Sequence, residues 1–364
     1  MLDVTQGGIL VPVRFAALVV VCALALVAGC DNEDRASSSP SEAQRVVTDR
    51  PELAFWTNGY AVGLSDDRGQ RFQEVIGESP NGTVFPQLFS GVTWSPDGGH
   101  IAFAGVAGEQ TDEHDEPTDI YSIAPDGTGL EKVTEVGDAD GPLWAPDGAS
   151  IVFTRTSFPE GGPIRASLWS INLGDSEPTE IAEADDWTTF TAGSFTPDGT
   201  RLAVTRTEYD PSSGETSSEI ELMDADGSDP TNLIAEASDP AFSPDGGQIA
   251  FVSDRDKNGR LCYGDRCSHG NELYIASADG SEVKRLTHTT ALNERHPSWL
   301  PDGSRLAYQQ GEVFANAEVP SILGINPDGS CEQAILAGTG SGTWYANPAW
   351  RPSMPREGGG ALRC

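Results

Sequence analysis

The chain has 364 residues, a length that admits one large domain or two ordinary ones. Its 41 glycines and 25 prolines recur at regular intervals beside aromatic residues, as turn residues do in an all-β protein, and this excludes a low-complexity chain. The 56 acidic against 22 basic residues give a formal net charge of -34, a surface that repels phosphate backbones and excludes nucleic acid, leaving cations or basic protein patches as partners.

Residues 10–29 are apolar apart from Arg14 and end in Val27-Ala28-Gly29, followed by Cys30. The cation precedes the apolar run, small residues sit just before the cysteine, and the residues after it are polar, so residues 1–29 read as a cleaved export signal and not as a membrane helix. The segment resembles the bacterial lipoprotein signal, whose lipobox ends in a cysteine that is diacylated and becomes the mature N-terminus. That resemblance implies lipidation of Cys30 and places the chain at the cell membrane, lipid-anchored, facing the periplasm or the exterior. Residues 30–50 contain almost nothing to bury and read as a flexible tether with a reach of roughly 25 Å.

From Leu53 onward one pattern repeats. It reads Thr93-Trp94-Ser95-Pro96-Asp97-Gly98, then Leu143-Trp144-Ala145-Pro146-Asp147-Gly148, then Ser194-Phe195-Thr196-Pro197-Asp198-Gly199. It returns at Ala241–Gly246 and Ser298–Gly303, and a truncated copy, Ala349-Trp350-Arg351-Pro352, closes the series. Each full copy precedes a short apolar strand such as Ile101-Ala102-Phe103 or Ile249-Ala250-Phe251. A variable stretch comes next, then a third strand such as Asp119-Ile120-Tyr121, a second Asp-Gly turn (Asp226-Gly227, Asp279-Gly280) and a polar fourth strand. Proline presets the first turn dihedral and glycine takes the left-handed position. Four short antiparallel strands per repeat of about 50 residues are the signature of a propeller blade.

The ends complete the count. The chain opens on a second-type strand, Leu53-Ala54-Phe55, and closes on a first-type strand, Ala349-Trp350. Five complete blades and one split blade, with one C-terminal and three N-terminal strands, predict an all-β six-bladed β-propeller over residues 51–353, followed by a tail, 354–364. Closure of this kind removes open sheet edges. The run Trp/Phe-Ser-Pro-Asp-Gly, apolar-Ala-Phe, Ile-Tyr, Asp-Gly resembles the WD-like repeat of the TolB-type β-propeller family from Leu53 to Pro352. The resemblance is specific for fold and poor for function, because one scaffold hosts many roles.

In such a blade the first-to-second and third-to-fourth turns share one face of the disc, and both are short here. The long insertions all fall between second and third strands: Gly105–Thr118, Thr156–Ala166, Thr207–Ser218, Ser253–Asn271 and Gly311–Pro320. They are expected to emerge together around the mouth of the channel, where binding sites sit on rigid scaffolds. Candidates on that face are the acidic run Asp112, Glu113, His114, Asp115 and Glu116, together with His269 and His288. The five histidines include no two with ligand spacing on one element. Their counterpart reading is a metal-assisted polysaccharide-degrading enzyme, since some propeller lyases acting on pectin fragments use His-bound metal. Within the blade-five loop, Asp254, Asp256 and Asn258, with Asp265 at the twelfth position, match the oxygen spacing of a calcium loop, making calcium the candidate ion although no cofactor is required. Export permits disulfides, and Cys262, Cys267, Cys331 and Cys364 form an even set with three pairings; Cys262–Cys267 is the local one.

Gly-x-Ser-x-Gly, His-Glu-x-x-His and phosphate-loop motifs are all missing from the sequence. The expectation is therefore a monomeric, membrane-anchored binding or scaffold module with no catalytic residues, which presents its loop face to a protein or a glycan.

Overall fold

The computed structural model describes residues 52–57, 61–77, 84–86, 91–107, 117–157, 159, 162–259, 261–263, 266–290, 292–311, 319–339 and 343–352. The signal, Cys30, the tether, the run Asp112–Glu116, Asp265 and Cys364 lie outside them. The described elements are all β-strands; 24 of them form six four-stranded antiparallel units, two of which are joined into one sheet by a parallel bridge at Ala166 and Thr189, and the others are one added strand and a two-stranded ribbon. In blade I the C-terminal strand Tyr345–Trp350 pairs with Glu52–Thr57, followed by Ala61–Asp66 and Gln73–Ile76. Blade II takes Thr93–Trp94, Ile101–Ala107, Thr118–Ile123 and Glu131–Lys132, with Val84–Pro86 also paired to its second strand. The remaining blades begin at Ala139, Thr188, Ser238 and Glu294.

The second strands explain the ring. Successive side chains point to opposite faces of a sheet, so apolar-Ala-aromatic presents large residues one way and alanine the other. Ile101 and Phe103 enter the core shared with blade I, while Ala102 and Ala104 enter the core shared with blade III. Ile249 and Phe251 face blade IV, and Ala250 and Val252 face blade VI. Leu53 and Phe55 face blade VI, and Ala54 and Trp56 face blade II. Six hydrophobic cores result, one between each pair of neighbours, and the ring has no free interface among the described residues.

Closure runs through the predicted split blade. Leu53 lies opposite Trp350 and Ala54 opposite Ala349. Arg351 N donates to Glu52 O at 2.9 Å, and the Arg351 guanidinium pairs with the Glu52 carboxylate at 2.5 Å. The inner strands are also tied across blades: Phe242 N donates to Ser194 Oγ at 3.0 Å, and Trp350 N to Ser298 Oγ at 3.2 Å. Trp94 Nε1 donates to Ala349 O at 3.0 Å, and Trp299 Nε1 to Ala241 O at 2.9 Å.

The two turn types are as the sequence requires. Gly98, Gly148, Gly199, Gly246 and Gly303 have φ between 66° and 72°, and Gly127, Gly227, Gly280 and Gly329 between 79° and 85°. Around the turn face Gly148, Gly199, Gly246 and Gly303 each lie against the preceding blade's proline, Pro96, Pro146, Pro197 and Pro244.

Three expected loops are partly sheet. In blade IV the second and third strands run Arg201–Asp210 and Glu215–Asp224, with Thr207 opposite Ser218 and Tyr209 opposite Thr216. The segment predicted as a loop is thus a hairpin standing above the loop face. Blade III pairs as far as Ser157 with Arg165. Inside the blade V insertion, Leu261–Tyr263 and Arg266–Ser268 form a two-stranded ribbon in which Cys262 lies opposite Cys267. Cys331 is disulfide-bonded.

Candidate functional site

A cavity of about 790 Å³ opens on the loop face between blades IV, V and VI. Its walls are strand ends and connections of that face: Arg206–Glu208 and Thr216–Glu219 from the blade IV hairpin, Ala235–Asp239 from the blade IV–V connection, Val252–Asp254 with Lys257, His269 and Asn271 from blade V, and Asn293 with Arg295 from the start of blade VI. Ten Ser, Thr or Asn residues line it, with five acidic residues and the three basic residues Arg206, Lys257 and Arg295. Arg206 is held among glutamates, its Nη1 3.4 Å from Glu219 and its Nε 3.7 Å from Glu221, with Glu208 also paired. These carboxylates raise the Arg206 pKa against the opposing effect of burial. Burial raises the pKa of Glu221, and Arg206 works against it.

A second cavity, of about 510 Å³, follows the axis of the ring and is lined by residues from the inner strands of all six blades, including Trp94, Trp144, Phe195, Phe242, Trp299 and Trp350. The two cavities share Thr191, Thr205 and Asp239, so the loop-face cavity continues into the central channel. At this neck Asp239, His296 and Asn347 occupy equivalent positions in three adjacent blades, each with φ near 50° and each before a proline. His296 N donates to Asp239 Oδ2 at 3.1 Å, and His296 Nδ1 lies 3.7 Å from the same oxygen.

Of the residues singled out from sequence, His269 and Asp254 line the loop-face cavity. His269 Nδ1 is 3.0 Å from Gly259 O. His288 is exposed on the blade V–VI connection and stands outside the cavity. His296 belongs to the inner strand Glu294–Trp299.

Of the residues expected to form a calcium loop, Asp254 and Asp256 are ion-paired within the protein, and Asp265 lies outside the described residues. Lys257 Nζ pairs with Asp254 Oδ1 at 2.9 Å, and Arg285 pairs with Asp256. Asn258 turns its amide nitrogen inward, donating to Thr289 O at 2.8 Å and Glu272 Oε1 at 3.2 Å. Among the described residues no group of three His, Cys, Asp or Glu is placed to hold a metal ion.

These contacts belong to a buried network at the base of the blade V insertion. Glu272 is 1% exposed and Glu294 is 0% exposed. Arg285 Nη2 reaches Glu272 Oε1 at 2.7 Å, Thr289 N donates to Glu272 Oε2 at 3.1 Å, and Gln310 Nε2 donates to Glu294 Oε1 at 3.3 Å. Thr289 Oγ1 lies 3.3 Å from Glu272 and 3.2 Å from Glu294. Burial first, and the Glu272 charge second, push the Glu294 carboxyl up to about 8. One hydroxyl hydrogen cannot serve two carboxylates, so a proton on Glu294 completes the arrangement.

Sequence reasoning missed Arg206, Arg295, Asp239 and the neck. Arg206 and Arg295 lie far apart in the chain and meet only because the ring brings blades IV and VI to one mouth. The alternation Thr205-Arg206-Thr207-Glu208 was a usable signal for a strand continuing beyond the core.

No protein-family model matches the chain. A curated relative described as "Uncharacterized peptidase YuxL", from Bacillus subtilis, is 32% identical over 133 residues, covering 35% of this chain and 18% of its own length. The chain thus spans less than a fifth of that relative. Among solved structures, one titled as a nidogen/laminin complex aligns with TM-score 0.56 at 11% identity, covering 83% of this chain and 98% of that one. An oligogalacturonate lyase in complex with manganese aligns at TM-score 0.47 and 16% identity, over 78% of this chain and 73% of that one. The oligogalacturonate lyase of Vibrio parahaemolyticus gives TM-score 0.47 and 16% identity, over 79% and 73%. The first structural likeness is one of fold, and with the six inter-blade cores it makes this chain a β-propeller.

Proposed function

We propose that the chain is a membrane-tethered, extracytoplasmic binding module that takes a protein or glycan partner at the loop-face cavity between blades IV, V and VI. The observation that carries this reading is the cavity itself: about 790 Å³, dense in hydroxyls, amides and charges, at the mouth of a rigid ring. Polar groups converging in a concavity of this size are what ligand sites offer. The opposite face offers short Pro-Asp-Gly turns. Lipidation of Cys30 anchors the module, residues 30–50 set its distance from the membrane, and the acidic run Asp112–Glu116 adds attraction for a basic partner that salt weakens. In this reading Cys331 pairs with Cys364.

A pull-down from membranes with the anchored chain as bait, followed by hydrogen-exchange mapping of the captured partner, tests the reading. Protection is expected at Arg206–Glu219 and His269–Arg295. Protection confined to the Pro-Asp-Gly turns overturns it. Cys30→Ser is expected to release the chain from membranes or leave it as precursor, and a mature chain without acyl mass overturns the anchor.

The stretch shared with a relative named as a peptidase supports a second, enzymatic reading. Hydrolysis of chromogenic peptides by the purified chain separates the two.

A further inference from the structure

Blade IV builds more than a wall. On its second strand Thr205, Thr207 and Tyr209 share one face by strand alternation, and Thr205 and Thr207 line the cavity. Tyr209 therefore continues the same surface upward, above the cavity rim. Its ring meets Trp187 at a centroid distance of 5.4 Å and an interplanar angle of 56°. Trp187 opens the inner strand of the blade and has φ 66°, a left-handed conformation that a bulky residue rarely adopts. Two backbone hydrogen bonds hold it there: Trp187 N donates to Ile164 O at 3.0 Å, and Tyr209 N to Trp187 O at 3.0 Å. Both residues are half-buried. A strained residue that its neighbours over-determine points to a task at that position.

The cavity below supplies the complement. It holds hydroxyls, amides and carboxylates in quantity, and its lining includes no Phe, Tyr or Trp. Sugars are recognised by such groups together with an amphipathic aromatic face against which a ring can lie. Charge decides which sugars: five carboxylates stand against three fixed cations in the lining, on a chain of net charge -34. A polyuronate would meet like charge here.

We propose that Trp187 and Tyr209 form a stacking platform for a neutral or amino-sugar oligosaccharide whose next residues enter the loop-face cavity. The proposal rests on the reading of that cavity as a binding site and specifies its ligand class.

Isothermal titration of the purified chain with cellotetraose, a chitosan tetramer and tetragalacturonate tests it. Saturable binding is expected for at least one of the first two, with tetragalacturonate at least ten-fold weaker. Trp187→Gly removes the platform and relaxes the left-handed backbone, so it should keep or raise the melting temperature while weakening binding at least ten-fold. Tyr209→Ala should weaken binding similarly. Equal or tighter binding of tetragalacturonate, wild-type affinity in Trp187→Gly, or no binding of any of the three overturns the platform. The cavity reading falls separately: it survives if a captured partner protects Arg206–Glu219, and fails if protection lies on the turn face.

Discussion

At the scale of single residues, Glu294 has the most consequential environment. Its carboxyl is fully buried at the blade V–VI junction, faces Glu272 across the Thr289 hydroxyl, and feels Glu332 on blade VI. The folded chain holds a proton there up to about 8, whereas the ordinary glutamate value is 4.5. The folded-state pKa is raised, so the stabilisation is complete below 4.5, falls as pH rises, and is lost as pH passes about 8. A shift of this size corresponds to ~3–5 kcal/mol. Glu294→Gln keeps the shape and stays neutral, so its stability should exceed that of the wild type at pH 9 and approach it near pH 5. Urea unfolding across that range is the measurement, and parallel pH curves for the two chains would refute the assignment.

At the scale of the element, the tight turns show how one residue type meets different demands. Gly303 has φ 71°, and the nearest foreign atom to an added methyl would be Pro244 Cδ at 3.9 Å. Gly227 has φ 85°, and an added methyl would fall 1.7 Å from Ile181 O on the neighbouring blade. Gly303→Ala should therefore cost only the left-handed strain, about 1–2 kcal/mol. Gly227→Ala carries that strain and a backbone collision, and should cost roughly twice as much or more. Equal midpoints of denaturant unfolding for the two variants would contradict the packing of that turn on blade III. These turns were legible because Pro-Asp-Gly and Asp-Gly have one local solution. The blade IV hairpin was not, because Thr, Ser and Glu in Thr207–Ser218 read as loop, and only cross-strand pairing makes them sheet. The same limit hid most of the candidate site. His269 and Asp254 drew notice by residue type, while Arg206 and Arg295 acquire meaning only from the ring that joins their blades. Partners of the expected calcium-loop residues were hidden for a related reason: Lys257 and Arg285 pair with Asp254 and Asp256, and Arg285 comes from a different strand.

At the scale of the whole molecule, stability depends on closure. Every blade buries one side of its sheet against one neighbour and the other side against the next, so removal of a strand opens two cores at once. The closing strand Tyr345–Trp350 sits where this matters most. Trp350 is 5% exposed in the core between blades VI and I, Ala346 is 5% exposed in the core between blades I and II, and Trp94 of blade II hydrogen-bonds Ala349 O. Burying a large apolar side chain contributes ~1.5–3 kcal/mol. Deleting residues 347–364 removes Trp350, frees the edge of Glu52–Thr57, and leaves the Trp94 indole without its acceptor. The expected loss is several kcal/mol, with exposed strand edges promoting association. Deleting only 353–364 leaves the strand and its pairing with Glu52 intact while removing Cys364, so it measures the tail and any bridge to Cys331 apart from the closing strand. The longer deletion should lower the unfolding midpoint well beyond the shorter one. If the two truncations unfold together, the ring is not held by this strand. If the shorter deletion alone lowers the midpoint while leaving Cys331 reactive to thiol reagents, the covalent link through Cys364 carries that part of the stability.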